Sequence, residues 1–347
     1  MHEIGLRRRA TVHDVARAAG VSLATVDRVL NGRAGVSPGT TEKVEAAIAT
    51  LGFQRDLSAS LLARARDLRV VFVIPDSSNE FMAGLADAVT RRAGEAVADR
   101  LHLQTIRLKA LDADALAACL DALDPRDCDC AVIVATQDAS VLAAVGNATR
   151  RGVVVMTLVS DLPGSSRRHF IGIDNVAAGR TAASLMGRFC PQGGKVALIA
   201  GSLHLHDHRD RLEGFRATIA AEFPALELVG PIEGHDERAE TETHVTQLLS
   251  RHPDLAGIYN LGAGNSGLVA ALDASRRSGT IRVIAHELTE PTRNGLRSGA
   301  IDVVLDQNPD GEIRAAIDAA RSLALGANGI AKTDPIEIGI FLRDNLR

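Results

Sequence analysis

The sequence predicts two folds in one chain: an N-terminal all-α head with a helix-turn-helix, then an α/β body of two doubly wound parallel-sheet subdomains. Two short helical repeats separated by a glycine lie within residues 11–31. Beyond Leu68, short β-branched runs alternate with Ala-rich stretches, and the 347 residues exceed one ordinary domain. We therefore predict a head over 1–54, a linker over 55–68 and a body over 69–347.

The head is predicted to contain three helices. In the first, apolar residues recur at helical spacing: Val12, Val15, Ala16 and Ala19. Gly20 then offers a residue that adopts positive φ, and Ser22 is suited to cap a second helix with Val26, Val29 and Leu30 on one face. A third helix is predicted from Thr40 or Thr41 to Leu51.

The net charge of −4 is unevenly distributed along the chain. Residues 1–69 contain eleven Lys and Arg against seven Asp and Glu, whereas the remainder contains 28 basic and 36 acidic residues. A basic head on an acidic body is typical of a protein that binds a polyanion through its head. In a helix-turn-helix the second helix enters the major groove, and Arg28 is the best candidate for a bidentate contact to guanine.

The head resembles the DNA-binding head of the lac repressor (LacI-type) family. The resemblance rests on Asp14-Val-Ala-x-x-Ala-Gly-Val-Ser-x-x-Thr-Val-x-Arg-Val-Leu-Asn31, on Val36-Ser and on Leu51-Gly-Phe53. Asp27 stands where the family commonly has Ser, which leaves base preference open. The resulting expectation is double-stranded DNA as a partner, with contacts from Thr11, Ser22, Leu23, Ala24, Thr25, Asp27, Arg28, Asn31 and Leu62.

The linker corresponds in this family to a hinge helix that folds when two copies pair on DNA. Residues 55–66 are too few for a stable isolated helix, which is consistent with that behaviour. By position, Leu62 matches the leucine that the family inserts into the minor groove. Arg55 and Ser60 replace the usual Pro and Arg, and ordinary interdomain packing remains an alternative role for Leu61 and Leu62.

The body is predicted to alternate strands and helices. The strands are expected at 68–74, 101–108, 130–135, 153–158, 170–173, 195–200, 226–229, 256–260, 282–285 and 301–305, with an apparent final strand at 336–342. The helices are expected at 81–99, 112–122, 138–151, 175–190, 209–222, 238–251, 265–278, 290–298 and 309–325. Open parallel sheets bind ligands beyond the carboxyl ends of their strands, so the site should lie in the strand-to-helix loops.

The body resembles the type I periplasmic sugar-binding fold, especially the ribose-binding branch, over nearly its full length. That resemblance implies a small carbohydrate effector bound by Asn79, Phe81, Arg209, Glu287 and Gln307. Other polar loop residues suited to sugar hydroxyls are Gln137, Asp138, Asp161 and Asn260. Asn260-Leu-Gly replaces the usual Asn-Asp pair, and His286 replaces a frequent aromatic residue, so the effector could be a sugar, a polyol or a sugar phosphate.

Other site types find little support in the sequence. His204, His206 and His208 alternate, but they follow a strand and enter a helix, so we expect neither a metal nor a cofactor. There is no Gly-x-Ser-x-Gly elbow and no phosphate-binding glycine loop after the first strand, so no enzyme is predicted. Aromatic residues make up 3% of the chain, which disfavours a nucleobase effector without excluding it.

Together these features predict a homodimeric, allosteric transcription regulator in the cytoplasm, and the family resemblance implies that it acts as a repressor. No apolar stretch suits a membrane span or a secretory signal, and Cys119, Cys128, Cys130 and Cys190 do not form a disulfide framework. Whether the effector releases or strengthens DNA binding is open. The rival class is a solute-binding protein for sugar transport, which would need an export signal and no helix-turn-helix.

Overall fold

A computed structural model describes residues 11–30, 35–51, 67–96, 100–324 and 336–346. The chain divides into two compact units, and the head helices and the body are therefore described separately. Among the described residues no helix is both long enough and apolar enough to cross a membrane. The predicted hinge and its Leu62 lie outside the described residues, as does Asn31. The two boundaries between the three predicted segments remain a prediction.

The head contains three helices: α1 (Val12–Ala19), α2 (Leu23–Leu30) and α3 (Pro38–Leu51). Thr11 caps α1 in a capping box with Asp14, and Gly20 ends α1 at φ 67°. Glycine adopts this left-handed conformation without a Cβ clash, which allows the tight turn into α2. One apolar cluster joins the three helices: Val15, Ala16, Val26, Val44 and Ala47.

The first subdomain of the body is built on a five-stranded sheet of order β2-β1-β3-β4-β5. Its strands are β1 (Leu68–Asp76), β2 (Leu101–Lys109), β3 (Cys130–Ile133), β4 (Val154–Leu158) and β5 (His169–Ile171). The helices that accompany them are α4 (Glu80–Ala96), α5 (Ala113–Ala122) and α6 (Ala139–Arg151). The pairs β1–β3, β3–β4 and β4–β5 are parallel.

The second subdomain is built on a six-stranded sheet of order β11-β10-β9-β8-β6-β7. Its strands are β6 (Gly194–Ala200), β7 (Leu226–Glu233), β8 (Leu255–Asn260), β9 (Arg282–His286), β10 (Val303–Asp306) and β11 (Gly339–Phe341). Its helices are α7 (Asn175–Phe189), α8 (His206–Glu222), α9 (Arg238–Arg251), α10 (Asn265–Ala274) and α11 (Glu290–Ser298). Helix α12 (Pro309–Ala324) follows β10, and a short 3-10 helix (Arg343–Asn345) follows β11.

The sheets are buried on both faces, as near-continuous apolar strands require. Strands β3 and β6 are almost wholly buried. Two hydrophobic clusters, each made of strand and helix residues, form the core of the second subdomain around its sheet. Helices α7 and α8 approach closely because Gly179 and Gly214 lie at their contact, where a Cβ would meet backbone of the opposite helix. This contact holds the start of α8, where the site described below begins.

The predicted fold class is confirmed, with small differences at the ends of elements. Helix α8 begins at His206 and not at residue 209, and β7 continues through a cis Gly230-Pro231 bond to Glu233. Helix α10 ends at Ala274, four residues before the predicted end. The final strand shortens to Gly339–Phe341 and is antiparallel to β10.

Candidate functional site

The exposed face of α2 carries the predicted DNA-reading side chains. Val26 points into the head core, whereas Ala24, Asp27 and Arg28 are exposed. Leu23 is 42% exposed, an unusual position for a large apolar side chain in a small domain. The helix therefore exposes an apolar side chain in its first turn and a basic side chain, Arg28, in its last turn, and a recognition helix needs such side chains to meet base edges.

The polar residues at the starts of α1 and α2 act as caps. Thr25 donates its backbone N–H to Ser22 Oγ at 3.1 Å, and the two hydroxyls are 2.9 Å apart. The Thr11 hydroxyl donates to Asp14 Oδ2 at 2.7 Å. These bonds fix the ends of the helices, and the predicted DNA contacts of Thr11, Ser22 and Thr25 remain predictions.

In the body, the strand-to-helix loops of the two sheets meet across a cleft, as predicted for open parallel sheets. Asn79 Nδ2 donates to Asp236 Oδ2 at 3.1 Å, and Ser78 Oγ donates to Glu237 Oε2 at 3.0 Å. On the opposite side Arg209 Nη2 donates to Gln137 Oε1 at 3.1 Å. Side chains of one subdomain thus hydrogen-bond those of the other in this closed arrangement.

A cavity of about 400 Å³ lies in this cleft at the starts of four helices. The wall residues are Ser78, Asn79, Glu80, Asp236, Arg238, Ala263, Gly264, Asn265, Ser266, Glu287, Thr289 and Pro291. Asp236 is satisfied by Asn79 and by the backbone N–H of Ala263, which donates to Oδ1 at 2.8 Å. Glu287 is 5% exposed, and its Oε2 has no hydrogen-bond partner within the described residues.

Behind this wall lies a cluster of buried charged side chains. Arg211, which is 1% exposed, donates from Nε to Asn175 Oδ1 at 2.8 Å and from Nη1 to the carbonyl oxygen of Leu261 at 2.6 Å. Its guanidinium lies 3.6 Å from Asp207 Oδ2 and 3.9 Å from Glu287 Oε1. Gln307 Nε2 donates to Glu287 Oε1 at 2.7 Å.

This cluster contains more carboxyl groups than cations. Asp207, Glu287 and Glu312 are all buried near Arg211, and both carboxyl oxygens of Glu312 lack a partner among the described residues. Burial raises the pKa of Glu287 to about 8, although Arg211 acts in the opposite direction. Burial, followed by the charge of Glu287, raises the pKa of Glu312 well above its ordinary value. Burial therefore favours the protonated form of both glutamates.

The raised pKa values predict that the protein loses stability as the pH rises from 6.5 to 8. Glu287 and Glu312 hold their protons in the native state but ionise in the unfolded state, so unfolding releases protons and the free energy of unfolding falls. Glu287 contributes about 1.4 kcal/mol per pH unit at the lower end of this window and about half of that near pH 8, where it is half ionised in the native state, and Glu312 adds a contribution of the same sign. Urea unfolding at several pH values measures the slope.

The range from pH 6.5 to 8 excludes most of the effect of another buried group, His286, which changes stability with pH in the opposite direction. Burial lowers the pKa of His286 well below 6.5, so its effect on stability ends above that pH. The double variant Glu287→Gln and Glu312→Gln should lose most of the slope, and Glu222→Gln, on the exposed end of α8, should keep it. A double variant with an unchanged slope would contradict the assignment.

Several predicted effector residues have other partners in the structure. Asp161 accepts a hydrogen bond from the Thr157 hydroxyl at 2.7 Å and pairs with Arg167. Asn260 Nδ2 donates within its own turn, to the Ala263 carbonyl and to Asn265. Phe81 is buried at the start of α4 and does not line the 400 Å³ cavity. Asp138 starts α6, 3.9 Å from His204.

The structure places Arg211, and not Arg209, beside Glu287. Arg209 is half-buried and bonds Gln137, whereas the side chain two residues later is enclosed by the charged cluster. Sequence reasoning missed Arg211, Asp207 and Glu312. The signal was the inner face of α8, where charged residues fall in register with the apolar ones: Asp207, Arg211, Leu212, Phe215 and Ile219.

The three alternating histidines do not converge. His204 is exposed, His206 is half-buried, and His208 is buried with Nδ1 near the backbone of Ser202. Within the described part of the chain no group of His, Cys, Asp and Glu is arranged to hold a metal ion. The helix start at His206 breaks the alternation because successive helical residues point about 100° apart.

Two family models match the chain. The model of bacterial regulatory proteins of the lacI family matches residues 11–56, and that of a periplasmic binding protein domain matches residues 70–328. The maltose regulon regulatory protein MalI of Escherichia coli (strain K12) is 26% identical over 277 residues, which is 78% of each chain. Catabolite control protein A of Priestia megaterium is 46% identical over 79 residues, which cover 23% of this chain and 24% of that protein.

The body is also similar to solved structures. An ABC transporter solute binding protein from Burkholderia graminis C4D1M, in complex with D-arabinose, superposes with a TM-score of 0.74 at 25% sequence identity. The match covers 81% of this chain and 97% of that one. Its extent corresponds to the two-sheet body, which leaves the head as an additional element.

Proposed function

The chain belongs to the lacI family of bacterial regulatory proteins, with a periplasmic binding protein domain as its body, and we propose that it is a sugar-responsive transcription regulator. Its head binds a DNA operator and its cleft binds a small carbohydrate that changes operator affinity. The observation that carries the proposal is the presence in one chain of a recognition helix with exposed Leu23 and Arg28 and a ligand-sized cavity between two sheets.

The DNA-binding half of the proposal is supported by the surface of α2. Arg28 supplies the planar guanidinium that reads guanine, and Leu23 supplies an apolar contact at the start of the helix. The match to the lacI family model lies over this same segment. Asp27 lies beside Arg28 on this surface and tunes the preferred base sequence.

The effector half is supported by the polarity of the cavity. A sugar offers many hydroxyl groups, and the wall supplies carboxylate, amide and hydroxyl groups to meet them. Similar proteins point the same way, since MalI regulates a maltose regulon and the solute binding protein holds D-arabinose. We propose Asn79, Arg211, Glu287 and Gln307 as the inner part of the site, with Gln137 and Arg209 at its edge.

The link between the two halves is proposed to be a homodimer in the cytoplasm whose paired hinges respond to the cleft. A ligand that binds the closed cleft more tightly shifts the population toward it, and operator affinity changes by the same coupling free energy. Leu62 and the rest of the hinge rest on the family resemblance. The action as a repressor and the absence of catalysis are part of the same proposal.

Two alternatives make different predictions. A solute-binding protein for transport would bind sugar without recognising any DNA sequence. A regulator with a nucleobase effector would respond to purines, which need stacking side chains, whereas the described residues that line the 400 Å³ cavity include no aromatic side chain. The sugar-responsive regulator accounts for both the head and the polar wall.

The test selects an operator from random duplex DNA and then asks which small molecule changes its binding. We expect the full-length protein to enrich one pseudo-palindromic sequence, and a sugar that raises the Tm to change operator affinity by about tenfold or more. Purines and hexose-free buffer serve as controls. Enrichment of no sequence would refute the DNA half, and a response to purines alone would refute the sugar half.

A further inference from the structure

The strongest feature left without a role is the excess of buried carboxyl groups beside the cavity. Asp207, Glu287 and Glu312 face a single buried cation, Arg211, whose Nε and Nη1 bond Asn175 and a backbone carbonyl. Unpaired buried carboxylates are costly, so proteins keep them where a ligand or a proton compensates them. The proposed function by itself requires only groups that bind hydroxyls.

The orphaned atoms in this cluster are mostly hydrogen-bond acceptors. Glu287 Oε2, both oxygens of Glu312, Asp207 Oδ1 and Gln307 Oε1 lack partners among the described residues, against one donor, Arg211 Nη2. A ligand that fits these groups in their ionised form must bring donors. A phosphate or carboxylate would bring further acceptors and negative charge, and is therefore a poor match.

Glu287 is held in place as the cluster residue that reaches the cavity. Its φ is 69°, a conformation that is costly for a residue other than glycine. The backbone N–H of Glu287 donates to the Leu305 carbonyl at 2.9 Å, and its own carbonyl accepts from the Thr292 hydroxyl at 2.6 Å. The backbone thus fixes the position of Glu287 in the cavity wall, and its buried Oε2 has no hydrogen-bond partner among the described residues.

The other described residues of the cavity wall do not supply the positive charge that ionised Glu287 and Glu312 would need. Four helices begin at the cavity, and their N-termini carry partial positive charge. Glu80 and Asp236 lie at the same helix starts and offset it, while the cation Arg238 is exposed to solvent. The cavity wall therefore lacks the additional cation that Glu287 and the nearby Glu312 would need in order to ionise, and a cationic ligand would supply it.

We propose that Glu287, supported by Glu312, is a subsite for a protonated amino group, so that the effector is an amino sugar. The inference rests on the proposed function, because it names the chemical class of the sugar bound at that site. The ammonium donates hydrogen bonds to Glu287 Oε2 and gives the carboxyl pair a cation. The remaining hydroxyls meet Asn79, Gln307 and the loop backbone.

The subsite is tested by comparing matched sugars on the full-length protein. D-glucosamine, D-galactosamine and D-mannosamine are compared with the parent hexoses, the N-acetylated sugars and the hexose 6-phosphates, by Tm shift and by calorimetry at pH 7. We expect one amino sugar to bind about 30-fold or more tightly than its parent and its N-acetyl form, because the charge pair is buried. The phosphates should not bind.

Proton release gives a second readout that a structural role would not produce. Glu287 has a pKa of about 8, so at pH 7 the bound ammonium should displace its proton. Calorimetry in two buffers of different ionisation enthalpy should show close to one proton released per site. A neutral sugar should release none.

Variants separate the subsite from the fold. Glu287→Gln should remove the preference for the amino sugar and the proton release, Glu312→Gln should weaken both, and Glu222→Gln should behave as wild type. If Glu287→Gln does not fold, the Glu312→Gln variant and the comparison of sugars on the wild-type protein still test whether the subsite binds an amino group. A parent or N-acetyl sugar that binds as tightly as the amine would overturn the subsite and leave the proposed function intact. Binding of no sugar at all would overturn both.

Discussion

Replacing Arg28 with alanine is expected to lower operator affinity by a factor of about 5 to 150 at each half-site, because a bidentate arginine–guanine pair contributes about 1–3 kcal/mol. In a dimer both copies lose the contact, so the total loss is larger. Arg28 is exposed on α2 and does not belong to the head core, so the fold should be unchanged. Fluorescence anisotropy at one fixed salt concentration measures the affinity.

The ratio of the affinity for the operator to the affinity for random duplex DNA shows whether Arg28 contacts a base or a phosphate. Affinity for the operator should fall much more than affinity for random duplex DNA, because only the base contact carries sequence information. Lys43→Ala, which removes an exposed cation from α3, is the matched control and should affect both DNAs alike. Equal losses on both DNAs for the Arg28 variant would show a phosphate contact and contradict the assignment.

Replacing Arg211 with methionine is expected to cost about 3–5 kcal/mol in the free energy of unfolding, because it leaves buried carboxyl groups without their cation. This is a large share of the ordinary stability of a protein, about 5–15 kcal/mol. Methionine approximates the length of the arginine stem, so the change removes charge more than volume. Urea unfolding at pH 7 measures the loss, and the sugar-induced Tm shift should disappear.

Two further variants show whether the lost charge of Arg211 causes the lower free energy of unfolding. Arg209→Met, at the half-buried edge of the cleft, should change stability by less than about 1 kcal/mol. Combining Arg211→Met with Asp207→Asn should restore part of the loss, because it removes the carboxyl group that lies 3.6 Å from Arg211 and would be left without its cation. Equal losses for the Arg209 and Arg211 variants would contradict the central position of Arg211 in the cluster.

The fold was largely readable from local patterns. The two short helices around Gly20 and the alternation of β-branched and Ala-rich runs depend on neighbours in sequence, and the structure contains both, with differences of a few residues at the ends. The start of α8 was harder to place, because the pattern of the His206–His208 segment is compatible with a loop and with the first turn of a helix.

The candidate site could be predicted from the sequence only in part. The loops that carry Asn79, Glu287 and Gln307 could be identified, because polar residues after buried strands mark the carboxyl edge of a sheet. Asp161 and Asn260 met the same criterion but are occupied by Arg167 and by the Asn260 turn. Local sequence cannot distinguish a polar side chain that faces a ligand from one that stabilises its own loop.

The sequence by itself therefore determined the fold class, the basic head and the exposed reading face of α2, because helical and strand periodicities and charge are local properties. Only the tertiary structure decided which arginine lies beside Glu287 and which carboxyl groups lack a partner. Arg211 and Glu312 lie 101 residues apart in the chain, and their burial beside Glu287 follows from the packing of α8 and α12 near the ends of β9 and β10. Because these charged residues are distant in the sequence, only the packing of the elements that carry them shows that they form one buried cluster.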